Sequence, residues 1–134
     1  MVWGMLLLAL VARVPLAGAT STPTAGTECT VVGEWVATPA VGTSARSVVF
    51  KQDGTFEGDG PTGWSAGSYV LAGVVLTIAK TTGADRAISC DPEHGGDYTF
   101  LPSSDCSSFT LLLRQESCAA RARNWTNLSW RRAR

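Results

Sequence analysis

The sequence has no excess of charge, almost no histidine and no apolar run of membrane-spanning length. Its 11 basic residues balance 11 acidic ones, so it offers no strongly basic surface for a polyanion. The longest apolar stretch lies within residues 1–12, whereas a membrane-spanning helix needs about 20 apolar residues. From these absences we predict that the protein has no nucleic-acid partner and no stable membrane span.

A recognisable catalytic arrangement is also missing. The sequence has a single histidine, His94, and no GxSxG motif to supply a serine nucleophile that this histidine could activate. Glu34 and Glu57 fall on the polar faces of their strands, whereas an acid–base pair would face each other across a cleft. Residues 91–97 gather three carboxylates with His94, but one histidine without regular ligand spacing is typical of a solvated loop. We predict no enzyme, no metal and no cofactor.

The first 19 residues resemble a secretory signal sequence. A short apolar core is followed by Pro15 and by Ala17-Gly18-Ala19, a small-x-small cleavage site. The positive charge, Arg13, follows the apolar core instead of preceding it, and a buried N-terminal helix is the alternative. We predict cleavage after Ala19 and a secreted or periplasmic protein.

The rest of the chain has the length of one domain. Residues 20–28 are rich in Thr, Ser, Pro and Gly and predict a flexible lead-in, so residues 29–134 form the folded domain. A lipoprotein signal needs small residues directly before its cysteine. Glu28, next to Cys29, argues against lipid anchoring.

Turn signals recur about every ten residues along the mature chain, as in all-β proteins. Val74, Leu76 and Ile78 share one face of a β-branched segment, and Asp53-Gly54 is a strong hairpin-turn signal. The predicted strands are residues 29–37, 47–52, 55–59, 65–71, 74–80, 98–101, 109–114 and 125–131, with a further short strand at 86–90. Short strands joined by short turns predict an antiparallel up-and-down barrel of eight strands, with a β-sandwich as the alternative.

Several motifs follow one another between residues 30 and 132. They are Gly33-Glu-Trp35, Phe50-x-x-Asp53-Gly54-Thr55-Phe56, Gly67-Ser-Tyr69, Tyr98-Thr-Phe100 and Trp130-x-Arg132. Their order and spacing resemble the small lipocalin-like domains of bacterial exported proteins. The resemblance implies that Trp35 closes one end of the barrel and packs against Arg131 or Arg132 through a cation–π contact.

A barrel of eight strands is either filled by its own side chains or holds one small ligand. The candidate ligand contacts are the inward aromatic residues Phe56, Tyr69 and Phe100, with Trp64 in a glycine-rich loop over residues 61–67 at the barrel mouth. We expect an exported binding module for a small apolar ligand. The alternative is an envelope interaction protein, such as a protease inhibitor with a filled barrel, whose partner is another exported protein.

The four cysteines have no CxxC spacing, and an even number behind a signal sequence favours disulfides. Connections in an up-and-down barrel alternate between its two ends, which places Cys29 and Cys106 at one end and Cys90 and Cys118 at the other. A disulfide joins Cα atoms only about 4.4–6.8 Å apart. Of the three pairings, we therefore predict Cys29–Cys106 and Cys90–Cys118.

Overall fold

A computed structural model of the protein describes residues 28–37, 45–60, 63–83 and 95–134. Their strands form a closed barrel in which each strand pairs antiparallel with the next and β8 pairs with β1. The elements are β1 (Gly33–Ala37), β2 (Arg46–Phe50), β3 (Thr55–Gly60), β4 (Gly63–Ala72), β5 (Val75–Gly83), β6 (Gly96–Pro102), β7 (Ser108–Gln115), α1 (Ala119–Thr126) and β8 (Ser129–Arg132). The predicted barrel is confirmed, and the sandwich alternative is wrong.

The strand directions define two ends of the barrel. We call the end where β1 begins the lower end and the end where β1 finishes the upper end. Because neighbouring strands are antiparallel, odd-numbered strands up to β7 run upward and even-numbered strands run downward. The turn between β4 and β5 therefore lies at the lower end, together with residues 28–32. Val74 belongs to this turn and not to the strand predicted from residue 74, because β5 begins at Val75. Helix α1 follows β7 and so begins at the upper end.

Aromatic side chains fill the described interior of the barrel. The buried aromatic residues are Trp35, Phe50, Phe56, Tyr69, Tyr98, Phe100, Phe109, Trp125 and Trp130. The rings of these residues other than Tyr98 contact one another in succession, with centroids 4.9 Å apart for Phe50 and Tyr69 and 5.3 Å apart for Trp125 and Trp130. Rings at these separations are in contact, so no ligand fits between them.

The predicted strand over residues 125–131 is wrong in its first part, because α1 ends at Thr126 and β8 covers only Ser129–Arg132. The helix begins after Cys118, whose Sγ accepts a hydrogen bond from the Arg121 amide at 3.2 Å. Trp125, on the helix, is 2% exposed. Its ring packs against Phe50 and Phe56, with centroids 6.0 and 5.8 Å away.

The predicted strand over residues 65–71 lies within β4, but the loop predicted before it is wrong at Gly63 and Trp64, because β4 begins at Gly63. Glycine at position 67 lets this part of β4 pack directly against the ring of Phe56, because a Cβ there would lie only 2.7 Å from that ring. Trp64 pairs with Asp59 on the outer wall and is 54% exposed. It therefore lies on a strand and not in a loop at the barrel mouth.

The acidic stretch at residues 91–97 is not a single loop, because β6 begins at Gly96. Asp97 accepts a hydrogen bond from the Thr77 hydroxyl at 2.7 Å. The predicted short strand at residues 86–90, the predicted signal sequence at residues 1–19 and His94 lie outside the described residues. Among the helices that are described, none combines the length and the apolar character needed to cross a bilayer.

The Cys29–Cys106 disulfide is confirmed, with its Cα atoms 5.3 Å apart. It ties the segment before β1 to the turn between β6 and β7, so both cysteines lie at the lower end as predicted. Cys118 is disulfide-bonded as well, and Cys90, the partner that we predict for it, lies outside the described residues. Stable disulfides are typical of oxidising compartments.

Candidate binding sites at the two ends of the barrel

Arg132 closes the lower end of the barrel across Trp35. Its guanidinium carbon lies 4.4 Å from the centre of the Trp35 ring, which confirms the cation–π contact and selects Arg132 over Arg131. Gly33 has a φ of +135°, and a Cβ at that position would overlap the Arg132 side chain. The Gly-x-Trp motif therefore has a packing reason, because glycine leaves room for the cation beside the indole.

Replacing Arg132 with glutamine is expected to lower the free energy of unfolding by about 1 kcal/mol, the usual size of an exposed cation–π contact. Urea unfolding followed by tryptophan fluorescence measures the change. Arg131→Gln is the matched control, because Arg131 is exposed and pairs with Ser108. Equal destabilisation by both variants would contradict a specific role for Arg132.

The structure separates the four residues that we predict as ligand contacts. Tyr69 and Phe100 both line one groove at the lower end. Phe56 is 1% exposed in the core, where its ring contacts Phe50 and Trp125. Trp64 lies on the outer wall.

The groove that Tyr69 and Phe100 share has a volume of about 650 Å³, within the range of about 300–1,000 Å³ for small-molecule sites. We call it the lower-end groove. Its apolar wall comprises Val32, Tyr69, Val70, Leu71, Val74 and Phe100. Val70 and Val74 are 62% and 57% exposed, so the groove is open to solvent and continuous with exposed apolar surface.

Tyr69, which lines this groove, is fixed by a hydrogen bond to the backbone. Its hydroxyl donates a hydrogen bond to the Lys51 carbonyl oxygen at 2.6 Å. Burial, together with the negative charge of Asp53, raises the pKa of Tyr69 above its ordinary value. The phenol therefore remains neutral near neutral pH and keeps this bond to the backbone.

A second, much smaller pocket lies at the upper end. Arg46, the first residue of β2, pairs with Ala37, which in turn pairs with Trp130. Side chains of directly paired residues share one face of a sheet, and Ala37 and Trp130 are buried, so Arg46 also faces the interior. Arg46, Trp125 and Trp130 all line a pocket of about 10 Å³, which we call the upper-end pocket.

The upper-end pocket has buried donors without acceptors. Nε and Nη1 of Arg46 and the indole nitrogens of Trp125 and Trp130 are buried and have no hydrogen-bond partner in the structure as described. Each buried donor without a partner costs about 1–3 kcal/mol. The Arg46 guanidinium also stays charged at any physiological pH. Such an arrangement favours a ligand that brings acceptor atoms.

A buried ion pair anchors α1 to the barrel wall. Both side chains of the pair, Glu116 and Arg121, are fully buried. Arg121 donates from Nε to Glu116 Oε2 at 2.6 Å and from Nη2 to Oε1 at 2.7 Å. Tyr98 donates to Oε2 at 2.6 Å, and Arg121 Nη1 reaches the Thr81 hydroxyl at 3.0 Å. The donors around this pair have acceptors, unlike those of the upper-end pocket.

The pKa values of this network follow from its burial and its hydrogen bonds. Burial by itself would raise the pKa of Glu116, but the bonds from Arg121, Tyr98 and the Cys118 amide hold it below the ordinary value. Burial and the bond to Glu116 raise the pKa of Tyr98. The network therefore consists of a carboxylate, a guanidinium cation and a neutral phenol.

Sequence reasoning missed Arg46, Glu116 and Arg121. The signal for Arg46 was available, since extending the inward alternation of Phe50 and Val48 by two residues reaches it. No local signal pairs Glu116 with Arg121, because their contact depends on the turn into a helix that the sequence did not predict. Trp125 was assigned to a strand and so was not connected with Arg46.

Comparisons with models of protein families, with curated proteins and with solved structures found no match. The architecture is therefore known from the structure alone, which shows a closed antiparallel barrel of eight strands. This architecture is compatible with a lipocalin-like fold and with a binding module.

Proposed function

We propose that this protein is an exported, non-catalytic binding module of the lipocalin-like kind, which binds a small apolar ligand in the lower-end groove. The observation that carries the proposal is the groove itself, an open site of about 650 Å³ with an apolar wall beside the polar residues Glu28, Thr30 and Gln52. Tyr69 and Phe100, two of the aromatic residues that the sequence nominates, contribute to its wall.

The packing of the barrel decides where such a ligand binds. In a hollow lipocalin-like barrel the ligand would lie inside, but here successive ring contacts occupy the described interior. A ligand must therefore bind at an end or on the outer surface. The lower-end groove favours the first of these, because Val70 and Val74 expose apolar surface at its edge and burial of such surface drives association.

The lower-end groove also has groups that can orient a ligand. Gln52 and Thr30 line it beside the apolar wall, and a few polar groups in an apolar site are typical of small-molecule recognition. The Cys29–Cys106 disulfide holds the segment at residues 28–32 against the barrel. This covalent tie keeps one wall of the groove in place before the ligand arrives.

Binding of the neutral fluorescent probe N-phenyl-1-naphthylamine tests the proposal. We expect a saturable rise in probe fluorescence with the exported protein. Val70→Glu and Val74→Glu are each expected to weaken binding by roughly tenfold, because each replaces apolar contact area with a charge.

The control variant is Leu112→Glu. Leu112 is 54% exposed on β7 and does not line the groove, so this substitution is expected to leave the affinity for the probe unchanged. An equal loss in all three variants, or fluorescence that never saturates, would refute binding in the groove.

The filled interior favours a second candidate function, which is recognition of another exported protein by the barrel surface. Native mass spectrometry of the secreted protein separates the two functions. A native mass above that of the disulfide-bonded chain, lost on denaturation, supports a carried small ligand. A native mass equal to that of the chain alone favours the interaction protein.

A further inference from the structure

The upper-end pocket is the feature of the barrel that the proposed function does not use. It lies at the opposite end from the lower-end groove, and its residues play no part in that groove. From its geometry we infer that the upper-end pocket is a binding site for a carboxylate group, held by Arg46, Trp125 and Trp130. This inference stands independently of the function proposed above.

Two buried tryptophan residues of the upper-end pocket have hydrogen-bond donors without acceptors. Trp125 and Trp130 are 2% and 3% exposed, and their indole nitrogens are without an acceptor in the described structure. An indole N–H can only donate a hydrogen bond. A buried tryptophan usually finds a partner for it, so two such groups lining one pocket indicate a ligand that accepts hydrogen bonds.

The upper-end pocket also carries a positive charge. Arg46 adds two more buried donor nitrogens without partners, and its side chain always carries a positive charge. Hydrogen bonds from a cation to an anion are shorter and stronger than those between neutral groups. The ligand group is therefore an anion with several acceptor lone pairs, which matches a carboxylate.

The size of the upper-end pocket limits which anion can enter it. The pocket of about 10 Å³ offers room of the order of one water molecule. Gly58, Gly60 and Ser65 line it, so small residues leave the space that Arg46 and the two indoles border. One carboxylate oxygen fits there, while the rest of the head group and its molecule extend toward solvent. A phosphoryl group with three terminal oxygens is bulkier.

Among the described residues that line the pocket, one carries a negative charge. Asp59 also lines the pocket, but it is exposed and no ion pair joins it to Arg46 among the described residues. Exposed charges are screened by water and salt. Asp59 therefore weakens anion binding without replacing the ligand, and its removal provides a test of the sign of the charge.

Nuclear magnetic resonance of ¹⁵N-tryptophan-labelled protein tests the site with acetate as the probe. We expect the indole resonances of Trp125 and Trp130 to shift saturably. The Trp35 resonance is expected to stay in place, because its indole nitrogen already donates to the Val31 carbonyl oxygen at 2.7 Å. Single Trp→Phe variants assign the peaks.

Variants and competing probes complete the experiment. Arg46→Gln is expected to weaken acetate binding by roughly tenfold or more, since bonds to a charged group are lost, and Asp59→Asn to strengthen it. Arg131→Gln, on the exposed face of β8, is the control. Urea unfolding of Arg46→Gln shows whether the fold persists, and stability at or above that of the unmodified protein is expected because an unpaired charge is removed.

Three results would overturn the inference. The first is acetate shifts that Arg46→Gln leaves unchanged while the variant remains folded. The second is equal binding of neutral acetamide, which would show that charge plays no part. The third is equal binding of chloride at the same ionic strength, which would make the pocket a general anion site and not a carboxylate site.

Discussion

Replacing Glu116 with glutamine is expected to lower the free energy of unfolding by about 3–5 kcal/mol, the usual effect of removing one partner of a buried ion pair. The Arg121 guanidinium would keep its charge in a fully buried position but lose the carboxylate that accepts from its Nε and Nη2. Tyr98 would lose the same charged acceptor. Urea unfolding at neutral pH, followed by circular dichroism, measures the loss.

Glu57→Gln is the matched control for this prediction. Glu57 forms an ion pair with Lys51, but the side chains are 63% and 42% exposed. Exposed pairs of this kind contribute about 0–1 kcal/mol, so the control is expected to unfold near the midpoint of the unmodified protein. Similar losses in the two variants would contradict the dominant role of burial.

The same network predicts a dependence of stability on pH. The pKa of Glu116 is lowered in the folded protein, so the unfolded state binds its proton more readily. The stabilisation is therefore present above the unfolded pKa of about 4.3 and is lost as the pH falls through the lower folded value. Between pH 5 and pH 2, Glu116→Gln is expected to lose less stability than the unmodified protein.

Replacing Trp125 with alanine is expected to lower the free energy of unfolding by about 3–5 kcal/mol, as for other large aromatic residues removed from a core. Trp125 is 2% exposed and contacts the rings of Phe50, Phe56 and Trp130. Its removal leaves a cavity beneath α1 that these rings fill only in part. Thermal and urea unfolding measure the change.

Trp64→Ala is the control, because Trp64 is 54% exposed on the outer wall and removal of an exposed side chain changes stability by about 0.5 kcal/mol or less. Equal effects of the two substitutions would mean that Trp125 is not the core contact that the structure shows. A small effect of Trp125→Ala alone would mean that α1 can leave the barrel without loss of the core.

The helix shows why part of the fold could not be predicted. Helices commonly begin after Ser, Thr, Asp or Asn, but α1 begins after Cys118, whose sulfur takes the capping role. Trp125, Leu128 and Trp130 are all buried, although a helix carries the first and a strand carries the last. A short apolar pattern does not distinguish these two cases.

The candidate sites also contain some residues that the sequence predicts and others that it does not. Tyr69 and Phe100 follow from inward alternation, and both line the lower-end groove. Arg46 occupies an inward position of β2, where a charged residue is unexpected because charged residues are seldom buried without a partner. Only closure of the barrel between β1 and β8 brings Arg46 near Trp130.

The resemblance to lipocalin-like domains implied that Trp35 packs against Arg131 or Arg132, and the structure selected Arg132. The sequence by itself determined the class of fold, the barrel of eight strands and the Cys29–Cys106 disulfide. These depend on the alternation of residues, turn chemistry and strand direction, which are local or follow from counting strands. Only the tertiary structure decided that aromatic rings fill the interior, that α1 places Trp125 at the upper end and that Arg46 and Glu116 lie where they do. Those features depend on contacts between residues far apart in the chain, and such contacts exist only once the barrel has closed.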